Sequence, residues 1–379
     1  MLFSEINVPQ SLKDRLIQAA KKGRIPHAQL FLGQGGRGGL SLALAYAQYI
    51  NCENPGENDS CGKCDSCKRY SHLAHPDLHF VFPVVKTPKN SKPFSVDFID
   101  QWKKFIQSTN FHTLEDWIKF LGYENAQPQI YVHEAENIIK TLNYKAFRSR
   151  YKIMIIWLPE KMNIAAANKL LKIIEEPPEN TIFLLVSHDD QNILPTIKSR
   201  TQIIQLPPLS EEGIKAELKK FFPQADDHII DQAAKTAGGD FIVARNFLLD
   251  SLGENTGNTY FDLFVRFMRE AYSANPLKLL DLTEELHKLD KEKQKQFLHY
   301  SLHLLRQAFI LNLNIKQIAY LTEKEYEFVK KFSAFVNKKN IDYFNFEFSK
   351  AISDLERNAN PRLVFSDLLF TSSKLLKIK

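Results

Sequence analysis

The stretch GQGGRGGLSLA, Gly33 to Ala43, decides how this sequence is read. It follows the apolar run HAQLFL and precedes the small-residue pattern ALAYAQYI, so it lies where a strand turns into a helix. In nucleotide-binding α/β proteins that place holds a phosphate loop of pattern G-x-x-x-x-G-K-[ST]. Its backbone N–H groups cradle phosphates, its Lys reaches the terminal phosphates and its hydroxyl holds Mg²⁺. Gly33 and Gly38 keep their places, but the Lys slot is Gly39 and the hydroxyl slot is Leu40. The loop keeps its shape without the two working side chains, so productive binding of ATP and Mg²⁺ by this chain is not expected.

Outward from the loop, further apolar runs predict buried parallel strands: DLHFVFP from Asp77, YKIMIIWLP from Tyr151, TIFLLVSH from Thr181 and TQIIQLPPL from Thr201. The helix-spaced MNIAAANKLLKIIEEPPEN separates two of them and ends at Pro177 and Pro178. Strand, helix, strand in that order implies a parallel α/β sheet, with ligands expected at the carboxyl ends of its strands. An amino-terminal helix ending at Gly23 precedes the sheet. Residues 84–129 form an insertion: a loop with Lys86, Lys89 and Lys92, then a helix carrying Phe98, Trp102, Phe105 and Ile106. The lysines beside aromatics suggest single-stranded nucleic acid, but a solvated loop over a small packed helix accounts for them.

After Pro208 the strand-like runs stop. Short helices broken at Pro223 and at Gly238 and Gly239 give way from about residue 257 to longer amphipathic ones, with Asn360 capping and Pro361 opening the final helix. The expected fold class is therefore α/β followed by all-α.

The four cysteines, Cys52, Cys61, Cys64 and Cys67, share one window with spacing C-x8-C-x2-C-x2-C. Four thiolates so spaced can surround Zn²⁺ tetrahedrally and close the site, which is the mark of a structural metal. His72 and His75 nearby are expected to be ordinary loop residues.

The chain has 379 residues, 44% hydrophobic and 25% charged, a composition that predicts a globular protein of two or three domains. Interleaved charges at the start and the lack of a long apolar run predict no signal peptide and no membrane span. A formal charge of +6 from 50 basic and 44 acidic residues permits nucleic-acid contact without requiring it.

Beyond the loop, a hydrolysing enzyme needs an Asp for Mg²⁺ and an acid for the attacking water at the end of the YKIMII strand. Those places read Trp157 and Leu158, with Glu160 two residues on. HAQLFLGQGG, the cysteine cluster, AAANKLLKIIEEPPENTIFLLVS, LPTIKSR and NANPRLVFSDLL together resemble the delta-prime family of bacterial replicative clamp-loader subunits.

That resemblance implies an AAA+ module: a RecA-like sheet domain over 1–207 with the four-cysteine zinc module at 52–67, a helical lid over 208–252, and a helical collar over 253–379 that joins a ring of five subunits. It implies that Ser199 and Arg200 match a Ser-Arg-Cys signature whose Arg enters the neighbouring subunit's ATP site, with Thr201 replacing the Cys. It implies that Ser187 matches a phosphate sensor, and that Ile242 stands where hydrolysing members put a sensing Arg, leaving Arg245 solvated. The implied partners are gamma/tau ATPase subunits and the delta subunit, with the sliding clamp and primer-template DNA reached through the complex, in the cytoplasm and away from membranes. Two competing expectations are an active gamma/tau-type ATPase and a zinc-dependent nucleic-acid-binding protein.

Overall fold

The computed structural model describes residues 1–379 apart from 89, 124–125, 145–148, 190–191, 252–256, 290, 315–320, 322, 358 and 379. Lys89 and the expected boundary between residues 252 and 253 lie outside the described residues. The chain divides into two compact units, Met1–Arg245 and Asn246–Lys379.

The first unit is built on five parallel strands in the order β2-β3-β4-β1-β5. They are β1 (Ala28–Leu32), β2 (Leu78–Val81), β3 (Lys152–Trp157), β4 (Thr181–Ser187) and β5 (Gln202–Gln205). Every residue of β1, β3 and β4 is buried, as expected for continuous apolar runs covered on both faces. β5 lies at one edge and exposes three of its four residues.

Helix α1 (Gln10–Lys21) ends ahead of Gly23, whose φ of +63° reverses the chain. Helix α2 (Gly39–Ile50) leaves the glycine loop directly, and α3 (Asp65–Ser71) closes the cysteine window. The segment 84–129 carries α4 (Ile99–Ser108) and α5 (Leu114–Leu121), and its ends meet through Val84 N to Gln129 O at 3.1 Å and Gln129 N to Val84 O at 3.0 Å. Helices α6 (Val132–Asn143) and α7 (Ile164–Glu175) pack their apolar faces on the sheet, burying Ala135, Ile138, Leu170 and Ile174 against Met154 and Phe183. The short α8 (Pro195–Lys198) leads into β5.

Beyond the sheet come α9 (Glu211–Phe221), capped by Ser210 Oγ accepting from Gly213 N, then α10 (Asp227–Thr236) and α11 (Phe241–Ser251). Their breaks fall at Pro223 and at Gly238–Gly239, both glycines having positive φ.

The second unit contains α12 (Gly257–Ser273), α13 (Pro276–Lys288), α14 (Lys291–Asn312), α15 (Glu323–Phe332), α16 (Ile341–Glu356) and α17 (Pro361–Leu375). Phe264, Phe267, Leu282, Phe297, Phe344, Phe348 and Phe365 fill its core. Asn360 caps α17 by accepting from Arg362 N at 3.0 Å, with Pro361 in the first helical position. The α/β-then-all-α class expected from the sequence is the one observed.

Candidate functional site

β1, β3 and β4 deliver three corners of a site at their carboxyl ends: the glycine loop, the Trp157–Glu160 turn and the Ser187–His188 step. Gly33 N donates to Ser187 O at 3.1 Å, and Leu158 N to Val186 O at 2.8 Å, so the corners are tied by backbone bonds.

The glycines of the loop are held by what surrounds them. Gly38 has a φ of +73°, a left-handed conformation that costs a side-chain-bearing residue energy. A Cβ on Gly33 would lie 2.7 Å from Leu206 Cβ, and one on Gly39 2.7 Å from Leu206 Cδ1. A Cβ on Gly36 would overlap Asp240 Oδ1. The Lys slot is thus filled by Leu206 from the end of β5, and Leu40 in the hydroxyl slot is buried. Arg37 turns away to donate to Leu206 O at 3.0 Å.

The two places at the end of β3 where a hydrolysing enzyme needs acids are equally altered. Trp157 is fully buried, 5.1 Å from Trp102 and 5.9 Å from His188 between ring centroids. Trp102, with Trp117 and Phe105, belongs to the 84–129 segment, so an aromatic cluster stands where an Asp would hold Mg²⁺. Leu158 is buried with a φ of +57°, an uncommon backbone state for a branched side chain. Glu160 accepts from His188 N at 3.0 Å, and burial pushes its carboxyl above the ordinary value. Ser187 Oγ pairs with the backbone of Asp189 at 3.2 Å, terminating β4 as a strand-end serine does.

Arg200 lies apart from this site. It follows α8, donates through Nε to Glu175 Oε2 at 2.6 Å and through Nη1 to Thr196 O at 3.1 Å, and leaves its side chain 31% exposed. Ser199 caps α8, its Oγ bonded to Thr196 O.

One expectation is corrected. Arg245 is not solvated: it forks onto Asp116, Nη2 to Oδ1 at 3.0 Å and Nη1 to Oδ2 at 3.2 Å. The residues are 129 positions apart, so no helical spacing could have announced the pair. Asp116, His112, Leu206 and Asp240 are the residues of this region that the sequence alone does not single out.

The cysteines converge. Their four Sγ atoms lie within 4.8 Å of one another, with Cys61–Cys67 at 3.9 Å and Cys52–Cys67 at 3.6 Å. A disulfide needs ~2.05 Å, whereas tetrahedral thiolates ~2.3 Å from a metal stand ~3.8 Å apart. Backbone N–H groups face the sulfurs, from Cys61 to Cys52 and from Cys64 and Lys63 to Cys61, as suits thiolate charge. The N–H groups of Lys63 and then Cys64 pull the Cys61 thiol down to about 6. The donor set fits a metal ion. His75 is not part of it: its Nδ1 accepts from Asp77 N at 3.1 Å and its Nε2 meets Ser149 Oγ at 3.0 Å.

A glycine loop after β1 of a five-stranded parallel sheet, with a following helix start packed back on that loop, is the α/β architecture of the phosphate-loop proteins. The chain belongs to the family described as DNA polymerase III, delta subunit, whose profile matches residues 8–210. It is 25% identical over 261 residues to a DNA polymerase III subunit delta' of Pseudomonas aeruginosa, covering 69% of this chain and 67% of that one. It is 30% identical over 203 residues to the subunit delta' of Bacillus subtilis, covering 54% and 49%. A gamma/tau subunit of Mycobacterium tuberculosis is 27% identical over 241 residues, 62% of this chain and 35% of that one. The match thus spans from two thirds down to about a third of these relatives' lengths. No described helix is long and apolar enough to cross a membrane.

Proposed function

We propose that this chain is a delta-prime-type clamp-loader subunit that hydrolyses no nucleotide and lends Arg200 to the ATP site of a neighbouring gamma/tau-type subunit. With a delta-type subunit these would form a ring of five in the cytoplasm and act on a sliding clamp and primer-template DNA. The observation that carries this reading is the contrast between two sites in one chain. Leu206 closes the Lys slot and Trp157 fills the place of the metal-binding acid, while Arg200 sits half-buried in the turn ahead of the edge strand β5 with part of its guanidinium open to solvent.

A guanidinium suits that task because it is permanently charged and forks onto phosphate oxygens. Ser199, ending α8, positions the turn that presents it. The four cysteines would hold a structural Zn²⁺ that pins the 52–67 loop to the end of α2.

The test is reconstitution of the full chain with gamma/tau-type and delta-type subunits. The lone chain is expected to turn over no ATP, and Arg200→Ala to lower the complex's stimulated turnover by ~10³-fold or more. Turnover by the lone chain, or a complex indifferent to Arg200→Ala, would overturn the proposal. The gamma/tau match favours a second reading, an active ATPase. It requires a loop lysine, and the sequence has none between Lys22 and Lys63.

A further inference from the structure

The middle of the 84–129 segment lies between the glycine loop and the start of α11 and touches both. On the loop side, Ser41 Oγ donates to Asn110 O at 2.9 Å, and a Cβ on Gly35 would stand 2.8 Å from His112 O. On the helix side, Phe111 stacks on Phe241 with centroids 4.2 Å and planes 20° apart. Arg245 forks onto Asp116, and Thr113 Oγ1 donates to Asp116 Oδ2 at 2.7 Å, which fixes the carboxylate's aim.

A second, independent bridge runs through Asp240. Its carboxylate caps α11 by accepting from Ile242 N at 2.8 Å and Val243 N at 3.3 Å. The same carboxylate is buried against the loop, with the Gly36 N–H and Arg37 facing it. Loop amides and a nearby cation form an anion site whether the anion is a phosphate or a carboxylate. Here the anion is part of the chain.

We propose that Asn110–Trp117 and the Asp240 carboxylate act as a resident ligand of the former phosphate site. They join the glycine loop to the helices of 211–245 and hold those helices in one arrangement whether or not nucleotide is present. A phosphate held by such a loop would be met by its backbone amides; here groups of the chain itself stand against the loop instead. Because the substitute is tethered, it competes at a high effective concentration against any free anion. The proposal extends the reading of a non-hydrolysing subunit, and it assigns the inserted segment a task.

Hydrogen exchange on the full chain tests it, with Asp116→Arg, Arg245→Asp and the double charge swap, each with and without ATP and Mg²⁺. In the unaltered chain, exchange within Glu211–Thr236 is expected to be the same with and without nucleotide. Each single variant should speed it by about tenfold while β1, β3 and β4 stay protected, and the swap should return it to within about threefold of the original. A milder variant, Phe111→Leu, keeps the apolar character and should give a smaller rise of about threefold. Protection unchanged in both Asp116→Arg and Phe111→Leu, or strong slowing on adding ATP to the unaltered chain, would overturn the proposal. Arg200→Ala alters none of these exchange rates, so a failed finger and a failed bridge give different results.

Discussion

Arg200 and Glu175 form an ion pair between the turn after α8 and the end of α7, Nε to Oε2 at 2.6 Å. With Nη1 on the Thr196 carbonyl, two edges of the guanidinium are engaged by this chain and Nη2 has no partner among the described residues. An exposed pair of this kind adds only ~0–1 kcal/mol to stability. Its effect is on direction, since it restricts the headgroup to one bearing. Glu175→Gln is therefore expected to leave the melting temperature nearly unchanged. Stimulated kcat in a reconstituted complex should fall by about three- to tenfold with KM steady, because an unaimed group loses orientation rather than charge. Steady-state kinetics at saturating clamp and DNA check this.

Restoring the loop lysine should not restore an active site. Gly39→Lys places a Cβ 2.7 Å from Leu206 Cδ1 and 3.2 Å from Val186 Cγ1, in a site where the backbone is fixed by the sheet. The expected cost is ~1–3 kcal/mol of stability. No ATP turnover should appear, since Trp157 and Leu158 remain. Denaturant titration and a turnover assay on the purified variant read the two effects separately.

The cysteine cluster should carry one equivalent of zinc per chain by elemental analysis. Cys64→Ser is expected to lose it and to lower the melting temperature by ~5 °C or more, because the metal's binding energy is folding energy for the loop it closes. Retention of full metal by that variant would show that the four thiols do not act as one site.

His112 and His188 give the first unit an acid sensitivity. Burial lowers His112 to about 4 and His188 to about 3 from the ordinary 6.5. His112 faces the Ile106 carbonyl and Asp116, which oppose the shift, while His188 faces His112 and Lys161, which add to it. The unfolded chain binds these protons near pH 6.5 and the folded chain does not. Stability is therefore full above that value and falls as pH drops towards the folded values, by up to ~1.4 kcal/mol per pH unit for each histidine. Glu160 and Asp240, both raised by burial, act in the opposite direction, so the comparison that isolates one histidine is with a variant. His112→Gln should show a shallower loss between pH 6.5 and 5 in urea titrations.

The strands, the helix starts and the convergence of the cysteines are legible because each is written locally: continuous apolar runs, Asn360-Pro361, four cysteines within 16 positions from Cys52 to Cys67. The spacing of Trp102, Phe105 and Ile106 likewise gave a helix, and α4 is there. What that helix packs on was not written locally. Trp102 meets Trp157 55 positions away only because the sheet brings β3 beside β2, and Asp116 meets Arg245 only through tertiary folding. The missing lysine and hydroxyl were visible as absences. That Leu206 lies against the Lys slot, and Asp240 against Gly36, could be seen only in three dimensions.

Gly36 is kept bare by a carboxylate far downstream in the chain, since any side chain there would drive Asp240 off its cap. A glycine retained for such a neighbour and a glycine retained for ATP look alike in one dimension. The glycines of this loop are therefore by themselves no sign of bound nucleotide, and in this chain the residue at position 240 is the better witness.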